Sequence, residues 1–162
     1  MVLEMDTPGG LDGSMRKIIQ AVLDSPVPVI TYVAPAGARA ASAGAFIAVS
    51  SHIVAMAPGT NIGAAHPVQI GSSEKTSSVM EDKLTNDAVA YLRSIAQERG
   101  RDLEWVEAAV RQSRSSSAEE AVELKIADFI ARDREDLLRQ AEGRRVKTVV
   151  GATVLALQGQ PR

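Results

Sequence analysis

The sequence predicts an α/β fold with a largely parallel sheet, on three observations. Apolar, β-branched runs alternate with segments of helical spacing, and the first run, helix and run make a βαβ unit. One Trp, two Tyr and two Phe in a chain that is 45% hydrophobic leave Ala, Val, Ile and Leu to build the interior. Such small side chains suit closely packed layers. At 162 residues the chain is expected to form one domain, 1–162, with no internal repeat and no clear linker.

Val2 to Met5 reads as a short strand, which Asp6-Thr7-Pro8-Gly9-Gly10 stops, because Pro and two glycines continue neither regular element. Met15, Ile18, Ile19, Val22 and Leu23 then recur on one helical face, with Ser14 or Asp12 available as cap. Val29 to Ala34 supplies the next strand, and a right-handed crossover makes the two strands parallel. The small-residue run Pro35 to Ala45 is read as a loop leading into a buried helix that begins near Ser42. Ile53 to Met56 is a strand broken by Pro58-Gly59, and Asn61 to His66 is extended before Pro67.

Gly71 to Ser78 is polar and reads as a mobile surface loop. Leu84, Ala88, Tyr91, Leu92 and Ile95 restore helical spacing up to Gly100, a C-cap residue, and place Lys83 at the beginning of that helix. Leu103, Val106 and Val110 mark another helix, on which Trp105 is expected to be half-buried. Ser117-Ala118-Glu119-Glu120 has the form of a capping box, followed by a strand at Phe129 to Ala131. Glu135 to Ala141 is helical, within a mixed-charge solvated stretch from Arg132 to Arg139, and Val146 to Leu157 is strand-like with a glycine interruption.

Eighteen basic and twenty acidic residues give a net charge of −2, without the basic run that nucleic acid or anionic lipid would require. The absence of cysteine removes thiolate chemistry and disulfides, and no metal-ligand spacing or phosphate loop is present. No metal or cofactor is therefore expected. No stretch reaches the roughly 20 apolar residues of a membrane span, and no signal-peptide pattern opens the chain, so the chain is expected to be soluble.

Chemistry concentrates in two small-residue segments. Ser42 lies between Ala40-Ala41 and Ala43-Gly44 at the start of a helix, where free backbone N–H groups collect. That placement suits a nucleophilic hydroxyl beside an oxyanion site, and suits equally a serine that caps the helix. Gly9-Gly10 ends the first strand, and Ser42 follows the next strand of the same sheet, so the two turns can face one another at the carboxyl ends of parallel strands. Asp6 is read as a structural anchor for backbone N–H groups.

Three ordered motifs, Asp6-Thr7-Pro8-Gly9-Gly10, Ala40-Ala41-Ser42-Ala43-Gly44 and Ala57-Pro58-Gly59-Thr60-Asn61-Ile62-Gly63-Ala64, resemble the NfeD-type membrane-bound serine proteases, partners of stomatin-like proteins. These are similar to signal peptide peptidase A and to Clp protease. The resemblance extends to Ala131 and implies the Clp protease/crotonase fold of stacked ββα units. It implies a serine–lysine dyad of Ser42 and Lys83, oxyanion donors at Gly10 and Ala43, and a turn shaped by Gly9. Asn61, Ile62, Gly63, Ala64 and Ala65 would line the substrate cleft. The implied substrate is a peptide or protein, namely apolar segments of a stomatin-like partner, and homo-oligomers are the family habit.

Two departures accompany the likeness. Only five residues precede Asp6, where the family carries a further strand and helix, and the family's membrane helices and β-barrel domain do not follow. The chain is thus expected to be a protease domain truncated at its N-terminal edge, from a membrane-anchored parent with the protease outside the cytoplasm. Lys125 stands where relatives often have glycine.

The base has two candidates. Lys83 at a helix N-terminus is disfavoured as an ammonium by the macrodipole, and its bland alternative is an ion pair with Asp87 at i+4. His66 follows Ser42 at nearly the interval at which Clp protease carries its catalytic histidine, and otherwise lines the substrate site. Lys75 reads as a solvated surface cation. Two rival functions stay open: a crotonase-like acyl-CoA enzyme, against which Ser42 at the helix start speaks, and a non-catalytic scaffold for a membrane partner.

Overall fold

A computed structural model describes residues 1–68 and 77–157. Its frame is a four-stranded, all-parallel sheet in the order β1 (Val2–Met5), β2 (Ile30–Val33), β4 (Ile53–Met56) and β7 (Phe129–Ile130). All four residues of β2 and of β4 are buried, as a parallel sheet covered on both faces requires. Alternation splits their side chains between two cores. Val33, Val54 and Met56 join the larger core, formed with helices α1 (Asp12–Leu23), α2 (Ala43–Ser50), α3 (Ser78–Arg99) and α4 (Leu103–Arg111). Ile30, Tyr32, Ile53 and Ala55 pack on the opposite face against Phe129 and Leu137 of α6 (Arg134–Ala141).

A second sheet of three short strands carries the functional loops. β3 (Arg39–Ala41) runs parallel to β5 (Asn61–Gly63), which pairs antiparallel with β6 (Ser115–Ser117). Thr7 bridges to Ala40 in parallel fashion, tying the end of β1 to this sheet. A β8–β9 hairpin (Arg145–Thr148, Gly151–Val154) resolves the strand-like C-terminal region, its turn falling at the glycine interruption. Between β6 and β7, α5 (Ala118–Glu123) opens with the expected capping box, Ser117 and Glu120 exchanging bonds with each other's backbone.

Several local expectations are corrected. Neither Ser14 nor Asp12 caps α1: Leu11 stands at the cap without a side-chain bond, and Asp12 is already in the first turn, where its charge suits the helix dipole. The helix bearing Lys83 starts earlier, capped by Ser77, whose hydroxyl accepts the Met80 N–H. Lys83 therefore sits in the second turn. Residues 71–76 of the expected polar loop lie outside the described residues, while Ser78 is helical. Trp105 is wholly buried, its indole N–H donating to Ser116 Oγ at 3.0 Å and so joining α4 to β6. Lys125 takes the left-handed conformation that glycine would favour, with φ 58°.

Candidate active site

The site forms where the ends of β1 and β3 meet the start of α2. All eight residues of α2 are buried, which only small side chains in its first turn permit. A Cβ on Gly44 would come within 2.6 Å of Thr7 Cγ2, so this glycine lets the β1 turn close directly onto the helix. The turn is in turn fixed by its own polar groups. Thr7 Oγ1 accepts the Gly9 N–H at 3.1 Å, and Asp6 Oδ1 accepts the Arg39 N–H at 3.1 Å, the structural task expected of Asp6. Thr7 N–H donates to Arg39 O and Ala41 N–H to Thr7 O, so the turn is laced to β3 along its length.

Ser42 is held in an unusual backbone conformation, φ 54° and ψ −118°, on the sharp connection from β3 to α2. A non-glycine residue in such a region costs of order 1–3 kcal/mol and persists only where its surroundings impose it. Here the constraint is visible: Ser42 N–H donates to Gly63 O at 2.9 Å, and Ala45 N–H donates to Ser42 O at 3.0 Å. Its hydroxyl does not cap the helix. That answers the question left open by the sequence, for a capping serine uses its oxygen on the helix amides, and this one leaves it available.

The Gly9-Gly10 turn lies against this serine. An added Cβ on Gly9 would meet Ser42 Cβ at 2.9 Å and Oγ at 3.3 Å, while one on Gly10 would stand 4.0 Å from Ala43 Cβ. Gly9 also has φ +136°, a conformation L side chains rarely adopt. Four of the residues singled out in the sequence, Gly9, Gly10, Ser42 and Ala43, are thus neighbours in space. Among the described residues neither the Gly10 nor the Ala43 N–H donates to a protein acceptor. The first amides of α2 have no intrahelical partner, so the arrangement can receive a developing negative charge.

The β5 segment divides into two roles. Asn61 and Ala64 are exposed, whereas Ile62 is wholly buried in the core, because alternation along a strand turns its side chain inward. The expectation that Ile62 lines the cleft with its side chain is corrected accordingly. Ala65 is buried too, its N–H donating to Ala109 O at 2.9 Å. Gly63 is a support: its carbonyl holds the Ser42 amide, and a Cβ there would overlap the carbonyl oxygen of Arg114. No signal short of this packing distinguishes it from the other glycines.

The two candidate bases differ in setting. Lys83 is exposed, and Asp87, the partner of the alternative ion pair, binds Arg16 at 2.6 Å. His66 is half-buried with Nδ1 2.9 Å from Val110 O; donation from Nδ1 leaves Nε2 as an acceptor. Lys75 lies outside the described residues. Among the described residues no group of three or more His, Cys, Asp or Glu is placed to hold a metal ion.

Residues 1–149 match the NfeD1b N-terminal domain family. The chain belongs to that family. It is 41% identical over 158 residues to the membrane-bound protease PH1510 of Pyrococcus horikoshii, covering 97% of this chain and 36% of that protein. The chain therefore spans about a third of that relative's length. Two solved structures share its fold at 40% identity, each covering 96% of the chain. One is the 1510-N membrane-bound stomatin-specific protease as a lysine-to-alanine mutant in complex with a substrate peptide, with TM-score 0.83 and 71% of that chain covered. The other is a serine-to-alanine mutant of the same protease, with TM-score 0.84 and 75% covered. The α/β fold expected of the NfeD-type proteases is thus the fold of this chain.

Proposed function

We propose that this domain is a serine endopeptidase in which Ser42 is the nucleophile, Lys83 the base, and the Gly10 and Ala43 amides the oxyanion donors. The observation that carries the reading is the strained Ser42, its hydroxyl uncommitted at the mouth of a buried helix and pressed against Gly9-Gly10. The relatives support it: the mutants studied in the similar protease are of a serine and a lysine, separated by the same interval in sequence as Ser42 and Lys83.

In this mechanism a neutral Lys83 amine takes the proton of Ser42 Oγ as the oxygen attacks the scissile carbonyl carbon. The carbonyl oxygen becomes an oxyanion facing the two amides. Collapse breaks the C–N bond, and the Lys83 ammonium returns its proton to the departing amine. A water then gives a proton to Lys83 as it attacks the acyl carbon, and collapse breaks the ester C–O bond while the Lys83 ammonium returns that proton to Ser42 Oγ, restoring both residues. Lys83 is exposed in the free chain, so in this mechanism the bound substrate covers it and favours the neutral amine.

Apolar segments of a stomatin-like membrane protein are the proposed substrate. Val79, Met80 and Leu84, on the same turns as Lys83, and Leu11 beside Gly10 are exposed large apolar side chains that an apolar segment could cover. In the whole protein we place the domain on a membrane anchor by analogy with the membrane-bound relative, and outside the cytoplasm and self-associated as the family resemblance implies; no helix among the described residues is itself long and apolar enough to cross a membrane. A second reading keeps Ser42 and makes His66 the base, on the strength of its acceptor Nε2.

A fluorophosphonate probe followed by peptide mapping tests the nucleophile. Labelling at Ser42 that is lost in Ser42→Ala is expected; labelling at another residue, or none with intact peptidase activity, overturns the assignment.

A further inference from the structure

One guanidinium joins the three helices that carry the proposed machinery. Arg16 lies in α1, the helix that follows Gly10, and its Nε pairs with Asp12 at 2.9 Å. Its Nη2 crosses to Asp87 of α3 at 2.6 Å, and its Cζ sits 4.3 Å from the centroid of the Tyr91 ring. Tyr91 in turn stacks on Phe46 of α2 with centroids 6.3 Å apart. Burial opposes the charge on Arg16, but the two carboxylates outweigh it and hold the pKa above its ordinary value.

Asp87 is the side chain one helical turn beyond Lys83, at the i+4 spacing where a lysine and a carboxylate pair on a helix surface. Such a pair would stabilise the ammonium, and an ammonium cannot accept the serine proton. We infer that Arg16 is a positioning residue that keeps Lys83 usable as a base by holding Asp87 away from it, while pinning the Lys83 end of α3 to α1.

The inference rests on the proposed Ser42–Lys83 dyad. The other charges around this turn do not substitute for Asp87. Glu81 and Asp82 stand two and one residues before Lys83, spacings that do not face it on a helix. The α2 helix has no ionisable side chain, and α1 adds only Lys17 to Asp12 and Arg16. On α4, Glu107 is held by Arg93 and Arg111, leaving Glu104 in its first turn. Asp6 accepts from Arg39 N–H, and His66 Nδ1 is engaged with Val110 O. Arg suits the task because it is charged at any workable pH.

The test is the pH dependence of kcat/KM on one peptide at low ionic strength, where surface charges are least screened. Wild type, Arg16→Met, Asp87→Asn and the double variant are compared, with melting temperatures to verify folding. Arg16→Met, which keeps the aliphatic stem, should move the rise of activity to higher pH by roughly 0.3 unit, lowering the rate on the acid limb about twofold. Asp87→Asn alone should leave the profile near wild type, and added to Arg16→Met it should restore it. Arg16→Lys, which keeps the charge, should also stay near wild type, and serves if Arg16→Met is unstable. An Arg16→Met profile that does not move, or a shift that survives in the double variant, overturns the inference. Turnover in Lys83→Ala instead removes the dyad itself, whatever Arg16 does.

Discussion

The two halves of the proposed site are built in opposite ways. Around Ser42, backbone hydrogen bonds, close glycine approaches and a wholly buried helix leave the nucleophile one conformation. Around Lys83 there is no such enclosure: the buried residues of α3 begin only at Ala88, and from Ser78 to Asp87 all but the half-buried Thr85 are exposed. Under the proposed mechanism, the oxyanion geometry is prepared before substrate arrives, whereas the proposed base is presented on a helix end that substrate must help to cover. Preorganisation is spent where charge develops, and access is kept where the peptide enters.

The largest effect should come from the rigid half. Ser42→Ala removes the attacking atom and should lower kcat by roughly 10⁴-fold or more. Because the hydroxyl makes no helix cap, the melting temperature should hold or rise slightly as the strained residue shrinks. A Ser42→Ala protein that melts far lower would show the hydroxyl to be structural and break the contrast between the halves.

The exposed half should respond in activity alone. Lys83→Ala should lose roughly 100-fold or more in kcat without a change in stability, since an exposed side chain contributes little packing. Lys83→Arg should not rescue, because its charge cannot be discharged. Measured on the same peptide, His66→Ala should weaken substrate binding and keep kcat. An active Lys83→Ala beside an inactive His66→Ala reverses the assignment of the base and moves it into the enclosed half.

Gly63→Ala sharpens the comparison from the scaffold side. The added methyl would overlap Arg114 O while the residue stays at φ +138°, so a loss of about 2–4 kcal/mol in stability is expected, read from denaturant midpoints. Whatever folded protein remains should show lower kcat, as the Ser42 amide loses its fixed acceptor. Unchanged stability and turnover would mean that this carbonyl does not set the serine.

Much of this was legible in the sequence, and the exceptions share a cause. Periodicity gave α1, α3, α4 and the two central strands, because their burial is one-sided or complete over several residues. β3 and β6 escaped, for Arg39-Ala40-Ala41 and Ser115-Ser116-Ser117 are three residues long and lack an apolar pattern; they exist because β5 lies between them. The proximity of Gly9-Gly10 to Ser42-Ala43 is expected from the sequence, but Ser42 follows β3 of the second sheet rather than a strand of the first, and the Thr7–Ala40 bridge joins the two turns; the positive φ of Ser42 and the task of Gly63 likewise follow from packing between segments far apart in sequence. The partner of Asp87 is of the same kind: local spacing offers Lys83 as the alternative to a free base, and the tertiary fold supplies Arg16.

The smallest expected effect concerns acid, and it acts on the buried half through the far end of α2. His52, two residues beyond that helix, accepts the Val29 N–H on Nδ1, and its Nε2 is buried without a partner among the described residues. Burial first and the nearby Arg99 second lower its pKa from 6.5 to about 4. The unfolded chain therefore binds more protons than the native one between these values. The contribution of His52 to stability is complete above about pH 6.5 and is lost as pH falls towards 4, by on the order of 1 kcal/mol per unit. Melting temperatures across this window should fall less steeply for His52→Gln than for wild type, after the common decline from carboxylates is subtracted. Hydrogen exchange should locate the loss at the α2–β4 junction while the amides of Ser78 to Asp87, at the exposed start of α3, change little. Equal slopes for the two proteins would show that His52 titrates alike folded and unfolded, and that the enclosure of this half ends before its last turn.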